Sequence, residues 1–273
     1  MSAQGSIPHG SSSLGPLTDL AGCRILISND DGIHAHGLKV LERIALSLSN
    51  DVWVMAPAIE RSGAGHSLTI HEPLRPVKLG ERRYSLSGTP TDCVMVAINH
   101  IMKDHPPDIV LSGINHGSNL GEDVHYSGTI AAAMEGTLLG VRAFALSQSF
   151  SELAKAPWET AEHFAPGLIR DVCALPWAKD VLISVNFPDC AIGDVRGVKP
   201  SRQGRHKMGE DFELRHDPRG RPYLWIGQQR YADRGAEGDL KAVDDGYIAV
   251  TPLNVDLTHQ ATLDALAKKY PQP

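Results

Sequence analysis

Two adjacent carboxylates, Asp30 and Asp31, stand directly after the apolar run Ile25-Leu26-Ile27-Ser28 and before Gly32. Side by side they repel each other unless a cation lies between them. In a straight strand their side chains would face opposite ways, and Gly32 tolerates a bend that aims both at one point. A hard divalent metal resolves the repulsion. Two further segments offer oxygen donors of the same hard character: Glu60-Arg61-Ser62-Gly63-Ala64-Gly65 supplies the Ser62 hydroxyl, and Ser112-Gly113-Ile114-Asn115-His116-Gly117 supplies the Asn115 amide oxygen. Two carboxylates, a hydroxyl and an amide oxygen suit one Mg²⁺ or Mn²⁺ per subunit, with about two coordination positions left for water or a phosphate oxygen.

The third segment continues through Gly117 and Gly121 to Tyr126-Ser127-Gly128-Thr129, where a helix is expected to start. Backbone N–H groups and the dipole at a helix start favour an anion. Gly113, Ser127, Gly128, Thr129 and Asn115 are therefore candidates for binding a phosphate, with Ser127 or Thr129 as N-cap or phosphate ligand. A metal beside an anion seat points to a phosphate ester cleaved by metal-activated water. Asp30, Asp31 and Asn29 are the candidate catalytic groups. Asn29 either closes its own turn or orients the water. An aspartate either takes the water's proton or attacks directly. His66, His116 and His125 lie in the right segments for a general acid, though loop histidines also serve as plain surface residues. Arg61 either steadies the phosphate or forms a surface ion pair.

The elements around these segments alternate. Cys23–Asn29, Asp51–Ala56, Asp108–Ser112, Arg142–Ser147 and Val181–Asn186 read as apolar strands; His36–Leu48, Pro90–Met102, Thr129–Leu139 and Trp158–Cys173 read as helices. Short strands with a hairpin are expected over 68–86. Such alternation builds a mostly parallel sheet covered by helices on both faces, a three-layer α/β core over residues 23–190. Ligands then bind beyond the carboxyl ends of the strands, where the candidate loops fall. Within residues 191–273, the stretch 194–255 is more charged, with a hairpin expected around Asp217–Gly220 and an acidic stretch from 233 to 245 that reads as a solvated face, and an amphipathic helix is expected over Asp256–Tyr270. This segment reads as an arm used in oligomerisation yet part of the same globular unit. Residues 1–22, rich in Ser, Gly and Pro, are expected to form a disordered extension without the features of a secretory signal.

With 273 residues, 42% hydrophobic and 21% charged, the chain has the composition of a globular protein; its formal net charge of −6 argues against a generic nucleic-acid binder. No apolar run approaches ~18 residues, so no membrane span is expected. Four scattered cysteines without a C-x-x-C pair fit free thiols in a reducing compartment, and the cytoplasm is the expected location.

The segments ILISNDDGI (25–33), APAIERSGAGHSLT (56–69), SGTPTDCV (87–94), DIVLSGINHGSNLGEDVHYSGTIAAAMEG (108–136), SVNFP (184–188), DPRG (217–220) and AVDDGYIAVTPL (242–253) follow one another in an order that resembles the SurE family of stationary-phase survival proteins. The resemblance runs from about residue 23 to about 258. It implies a Rossmann-like core and a metal-dependent 5′-nucleotidase with Asp30, Asp31, Ser62 and Asn115 as metal ligands, built as a homodimer or homotetramer through exchanged C-terminal elements. It also implies some activity on 3′-nucleotides and short polyphosphate. Ala58 replaces a usual Asp, and Gly238-Asp239-Leu240 replaces a usual Thr-Asp-aromatic. Two other classes compete. A dinucleotide-dependent oxidoreductase lacks its G-x-G-x-x-G turn here, and no Walker lysine motif supports an NTPase. A non-catalytic metal–nucleotide binding module would use the same ligands without turnover.

Overall fold

The computed structural model describes residues 13–151, 157–205, 207–231 and 237–271. The chain runs β1 (Ser13–Leu14), β2 (Arg24–Ser28), α1 (His36–Leu48), β3 (Asp51–Pro57), β4 (Pro76–Gly80), β5 (Arg83–Leu86) and α2 (Pro90–Val96). It continues with β6 (Ile109–His116), α3 (Gly128–Leu138), β7 (Arg142–Gln148), α4 (Trp158–Cys173), β8 (Trp177–Ala178) and β9 (Val181–Phe187). The last third holds β10 (Val198–Pro200), β11 (Lys207–His216), β12 (Pro222–Tyr231), α5 (Asp239–Asp244), β13 (Ile248–Asn254) and α6 (Gln260–Lys269).

One sheet carries the order β10-β13-β9-β7-β6-β2-β3-β5-β4. From β9 to β5 every neighbouring pair is parallel; β13 joins β9 and β4 joins β5 antiparallel. Burial on both faces is written into the strands: Ile25 and Ile27 of β2 enter one apolar cluster and Leu26 the other, and Val110 of β6 opposes Ile109 and Leu111 in the same way. On the first face lies α1, whose Leu38, Leu41, Ile44, Ala45 and Leu48 recur every three or four residues, with α4 beside it. On the second lie α2 and α3. A reciprocal capping box starts α2, Thr89 accepting from the Asp92 N–H and Asp92 from the Thr89 N–H, with Pro90 at the first helical position.

The connection β2–α1–β3 places β3 on one side of β2, whereas β6 returns to the other side. That reversal leaves a crevice past the carboxyl ends of β2 and β6. The mostly parallel α/β architecture thus matches the expectation from sequence.

Several local details differ. The strand expected at 108–112 runs on to His116, so Asn115 sits on a strand end rather than in a loop. The helix expected over Pro90–Met102 is α2 followed by a wider π-helical turn over Ala97–Ile101. Only 76–86 of the 68–86 stretch is a hairpin. Of the extension expected to be disordered, residues 1–12 lie outside the described residues, but 13–22 pack down: Leu14 and Leu17 lie against the core, Leu20 is buried, and the Leu17 N–H donates to the Cys173 carbonyl. The spacing of these leucines by three explains it. The hairpin expected around Asp217–Gly220 is β11–β12. Residues 233–236 of the acidic stretch lie outside the described residues; within its remainder Asp239, Leu240 and Val243 are buried rather than on a solvated face. The final helix starts at Gln260 and buries none of its residues.

Candidate metal centre and active site

Backbone bonds stitch three chain segments into one rim. The Arg61 N–H donates to the Asp30 carbonyl at 2.8 Å, the Ile33 N–H to the Pro57 carbonyl at 2.8 Å, and the Gly65 N–H to the Tyr126 carbonyl at 3.2 Å. The His116 N–H reaches Asp31 Oδ2 at 3.4 Å. The turn itself needs Gly32, whose φ of 99° is unfavourable for residues with a Cβ. Between these segments opens a cavity of about 390 Å³ bordered by Asp30, Asp31, Glu60, Ser62, Asn115 and Ser127, together with Asn119 and Asp123.

Its electrostatics are unbalanced. Asp30 is only 4% exposed. Burial pushes its carboxyl pKa up, against hydrogen bonds from Thr129 and from the Gly128 N–H, and Glu60 adds to the rise. Thr129 Oγ1 donates to Asp30 Oδ1 at 2.5 Å. Asp31 is pushed up to about 6, first by burial and then by the charge of Asp30. Neither Lys nor Arg is among the cavity's described lining residues.

The neutral donors are oriented to complete a hard ligand set. Asn115 Nδ2 donates to the Gly117 carbonyl at 2.9 Å, which leaves its Oδ1 as an acceptor. Ser62 Oγ donates to Glu60 Oε1 at 2.9 Å, leaving the oxygen's lone pairs. Asn29 Nδ2 donates to the Gly32 carbonyl at 3.1 Å, and its buried Oδ1 has no partner. Among the described residues no three His, Cys, Asp or Glu side chains converge as a metal nest. The set instead mixes two carboxylates with hydroxyl and amide oxygens, the chemistry of Mg²⁺ or Mn²⁺. These residues fit such an ion.

Asp30, Asp31, Ser62, Asn115 and Ser127 border the cavity; Asn29, Gly113, Gly128 and Thr129 lie behind its wall. Gly113 is buried in β6, where a Cβ would stand 2.3 Å from the Leu146 carbonyl. At Gly128 a Cβ would stand 2.7 Å from the Asp30 Cβ, so α3 approaches the carboxylate as closely as a glycine allows. Ser127 is the N-cap of α3, accepting from the Ile130 N–H at 3.1 Å. Thr129 is a partner of Asp30 rather than a surface that meets phosphate. Of the three histidines, His116 alone borders this cavity, its ring stacked on Phe150 at 3.9 Å. His66 bonds Glu135 at 3.0 Å, and His125 borders a neighbouring pocket. Arg61 reaches the Ser87 carbonyl at 3.5 Å and is absent from the cavity lining.

Other residues of the site carry no local signal. Asn119 donates to Ser147 and accepts, through its carbonyl, from Asn186 Nδ2; its N–H donates to Asn186 Oδ1. The buried Asp239 carboxylate accepts from the N–H groups of Gly121 and Gly204, and Gln203 donates to the Gly121 carbonyl. The C-terminal third thereby holds the segment that leads into α3. Asn119, Asn186 and Glu60 all lie inside motifs visible in the chain, but only their partners far away in sequence give them roles.

Residues 25–210 match the family described as survival protein SurE. A protein of Rhodospirillum rubrum called 5′-nucleotidase SurE is 60% identical over 259 residues, covering 93% of this chain and 99% of that protein. Its counterpart of the same name in Paramagnetospirillum magneticum is 56% identical, covering 93% and 98%. Among solved structures, that of the SurE protein from Aquifex aeolicus superposes with a TM-score of 0.79 at 36% identity, over 90% of this chain and 99% of that one.

Proposed function

The chain belongs to the survival protein SurE family, and from that membership we propose that it is a 5′-nucleotidase hydrolysing nucleoside 5′-monophosphates to nucleoside and phosphate, with one Mg²⁺ or Mn²⁺ per subunit. The observation that carries the metal is the adjacent pair of Asp30, buried, and Asp31, half-buried, both pushed up by burial, on a cavity with no lysine or arginine among its described lining residues. Asp30, Asp31, Ser62 and Asn115 would hold the ion. When bound, it supplies polarisation of the phosphate and acidification of a water. Hydrolysis forms one P–O bond from water and breaks the ester P–O bond, and the departing 5′-oxygen takes up a proton. Asn29, buried behind the cavity wall with its Nδ2 donating to the Gly32 carbonyl, is assigned to holding the turn that carries Asp30 and Asp31. Ser127 fixes the N-terminus of α3, whose N–H groups favour the phosphate charge. 3′-Nucleotides and short polyphosphate, which offer the same phosphoryl chemistry, complete the proposed substrate range.

We assign the chain to homodimers or homotetramers. Support comes from the β11–β12 hairpin, where Phe212 pairs with Ile226 and Leu214 with Leu224 on one face, all four well exposed. A cytoplasmic location accords with the four free cysteines, and no described helix is long and apolar enough to cross a membrane. Stable binding of nucleic acid is not part of this reading.

The test is phosphate release from a panel of nucleoside monophosphates with Mn²⁺, before and after EDTA. Release that EDTA abolishes is the expected result, and Asp31→Asn should keep the fold while losing most turnover at limiting metal. Metal binding without release from any nucleotide would leave a binding module in place of an enzyme.

A further inference from the structure

The wall of the metal cavity nearest α3 has little regular structure of its own. Residues 117–127 join β6 to α3. Asn119 anchors their first half through Asn186 and Ser147, and one 3₁₀ turn, Gly121–His125, makes up most of the second. That turn decides where the polar groups of the wall stand. The Asp123 carbonyl accepts from the N–H groups of Tyr126 and Ser127 at 3.0 and 3.1 Å, and all three residues border the cavity. The Tyr126 carbonyl accepts in turn from Gly65, on the loop that carries Ser62.

Gly121 heads this turn, buried and at a φ of 54°. Side chains from the C-terminal third take both of its backbone groups. Its N–H donates to Asp239 Oδ2 at 3.1 Å, and its carbonyl accepts from Gln203 Nε2 at 2.9 Å. Asp239 Oδ1 accepts from the N–H groups of Gly204 and Leu240 at 2.8 and 2.9 Å, and the Asp239 N–H donates to the Arg202 carbonyl at 2.9 Å. The residue is only 1% exposed. Burying a carboxylate is costly unless its oxygens are bonded, and here N–H groups meet both. An amide could not replace it, because its NH₂ would face an N–H whichever way it turned. The junction is also tight: a Cβ at Gly204 would stand 2.9 Å from Asp239 Oδ1.

Resting on the nucleotidase reading above, we propose that Asp239 and Gln203 clamp Gly121 from both sides and are positioning residues for phosphate release. Neither borders the metal cavity. Each acts through Gly121, fixing the turn that sets Asp123, Ser127 and the N-terminus of α3 before the phosphate arrives. Such positioning matters to rate because a displacement of about 1 Å, caused far from the reacting atoms, can cost on the order of 100-fold. Asp30, Asp31 and Asn115 stand on the turn after β2 and on β6, outside the clamped turn. The clamp therefore governs turnover more than metal affinity.

The test measures kcat on AMP per folded molecule at saturating Mn²⁺, Mn²⁺ affinity by titration, and amide hydrogen exchange, in the full chain and its variants. Asp239→Asn should lower kcat about tenfold or more, leave Mn²⁺ affinity close to wild type, and speed exchange over residues 117–127 while β2 and β7 stay protected. Val243→Ala is the control for mere loosening. It trims the small apolar cluster that holds Leu120 and Leu240 but leaves the clamp in place, so kcat should stay at the wild-type value. Wild-type kcat in Asp239→Asn, an equal loss in both variants, or unchanged exchange over 117–127 overturns the clamp. Should Asp239→Asn fail to fold, Gln203→Met at an exposed position deletes the other bond to Gly121. Faster exchange over 117–127 in that variant supports the clamp, and unchanged exchange overturns it. Should the wild type release no phosphate, the nucleotidase reading fails separately. Exchange in Mn²⁺-loaded wild type and Asp239→Asn then decides the clamp: acceleration over 117–127 supports it, and identical rates overturn it.

Discussion

Replacing Thr129 by valine tests whether the metal centre depends on a side chain that never reaches the cavity. The substitution keeps the shape of a fully buried residue and deletes the hydroxyl that donates to Asp30 Oδ1. A hydrogen bond to a charged group contributes about 1.5–3 kcal/mol, equivalent to about 10- to 150-fold in a binding constant. Burial already raises the Asp30 carboxyl, and the hydroxyl opposes that rise. Without it, the carboxyl moves further up, so an incoming cation competes with the proton over a wider range of pH. Mn²⁺ affinity at pH 7.5 should therefore fall by an amount within that range, similar to the ~10- to 100-fold found when partners of metal ligands are lost. The assay is isothermal titration of metal-free protein with Mn²⁺ across pH 5–8.5. The affinity deficit should shrink as pH rises and Asp30 ionises in both proteins, whereas the deficit in the metal-free protein's stability should be largest at high pH and shrink as pH falls and Asp30 is protonated in both. Thr129→Ser, which keeps the hydroxyl, should retain most of the affinity. Mn²⁺ binding by Thr129→Val within twofold of wild type, with the same pH profile, would refute the reasoning.

Three further outcomes are expected. Asp31 titrates near 6 in the fold and near 3.8 as the ordinary value, so its contribution to metal-free stability is intact below the lower value and lost as pH rises through the upper one; the rise in Tm on adding Mn²⁺ should accordingly be larger at pH 7.5 than at pH 5, and equal shifts would contradict it. Gly128→Ala should destabilise by about 1–3 kcal/mol and weaken Mn²⁺ binding, because its Cβ meets Asp30 at 2.7 Å. By contrast Gly167→Ala, in α4 with nothing within 4 Å, should stabilise by about 0.5–1 kcal/mol in urea unfolding. Excising residues 207–231 and closing the gap with a short turn should leave the sheet and its Tm nearly intact while lowering the mass seen by light scattering; an unchanged mass would remove the hairpin from the assembly.

Legibility followed the range of the forces involved. Strands buried on both faces announce themselves as short apolar runs, and α1 by its leucine spacing, because the pattern repeats within a few residues. Asp30 and Asp31 were legible because two charges adjacent in the chain must be reconciled locally. The continuation of β6 to His116 was not, since Gly113 and Asn115 are poor strand formers and the pairing of Asn115 with Ser147 on β7 decides it. Packing of residues 13–22 was hidden by their Ser, Gly and Pro content, and the exposure of α6 by its apparently amphipathic pattern, which describes a face without saying what covers it.

The chain by itself determined the parallel α/β core, the rim on which the site lies, and the donor types that suit a hard dication. Each follows from periodicity or from chemistry between neighbours in sequence. Only the tertiary structure decided how the donors are held. It brought Thr129 to Asp30 across 99 residues and Asp239 to Gly121 across 118, gave Asn119 its place against Asn186, and left His116 as the one candidate histidine on the cavity. It also set the charge state of the centre. A carboxylate's pKa answers to burial and to whichever donors and charges surround it, and those are properties of the assembled fold rather than of any stretch of sequence.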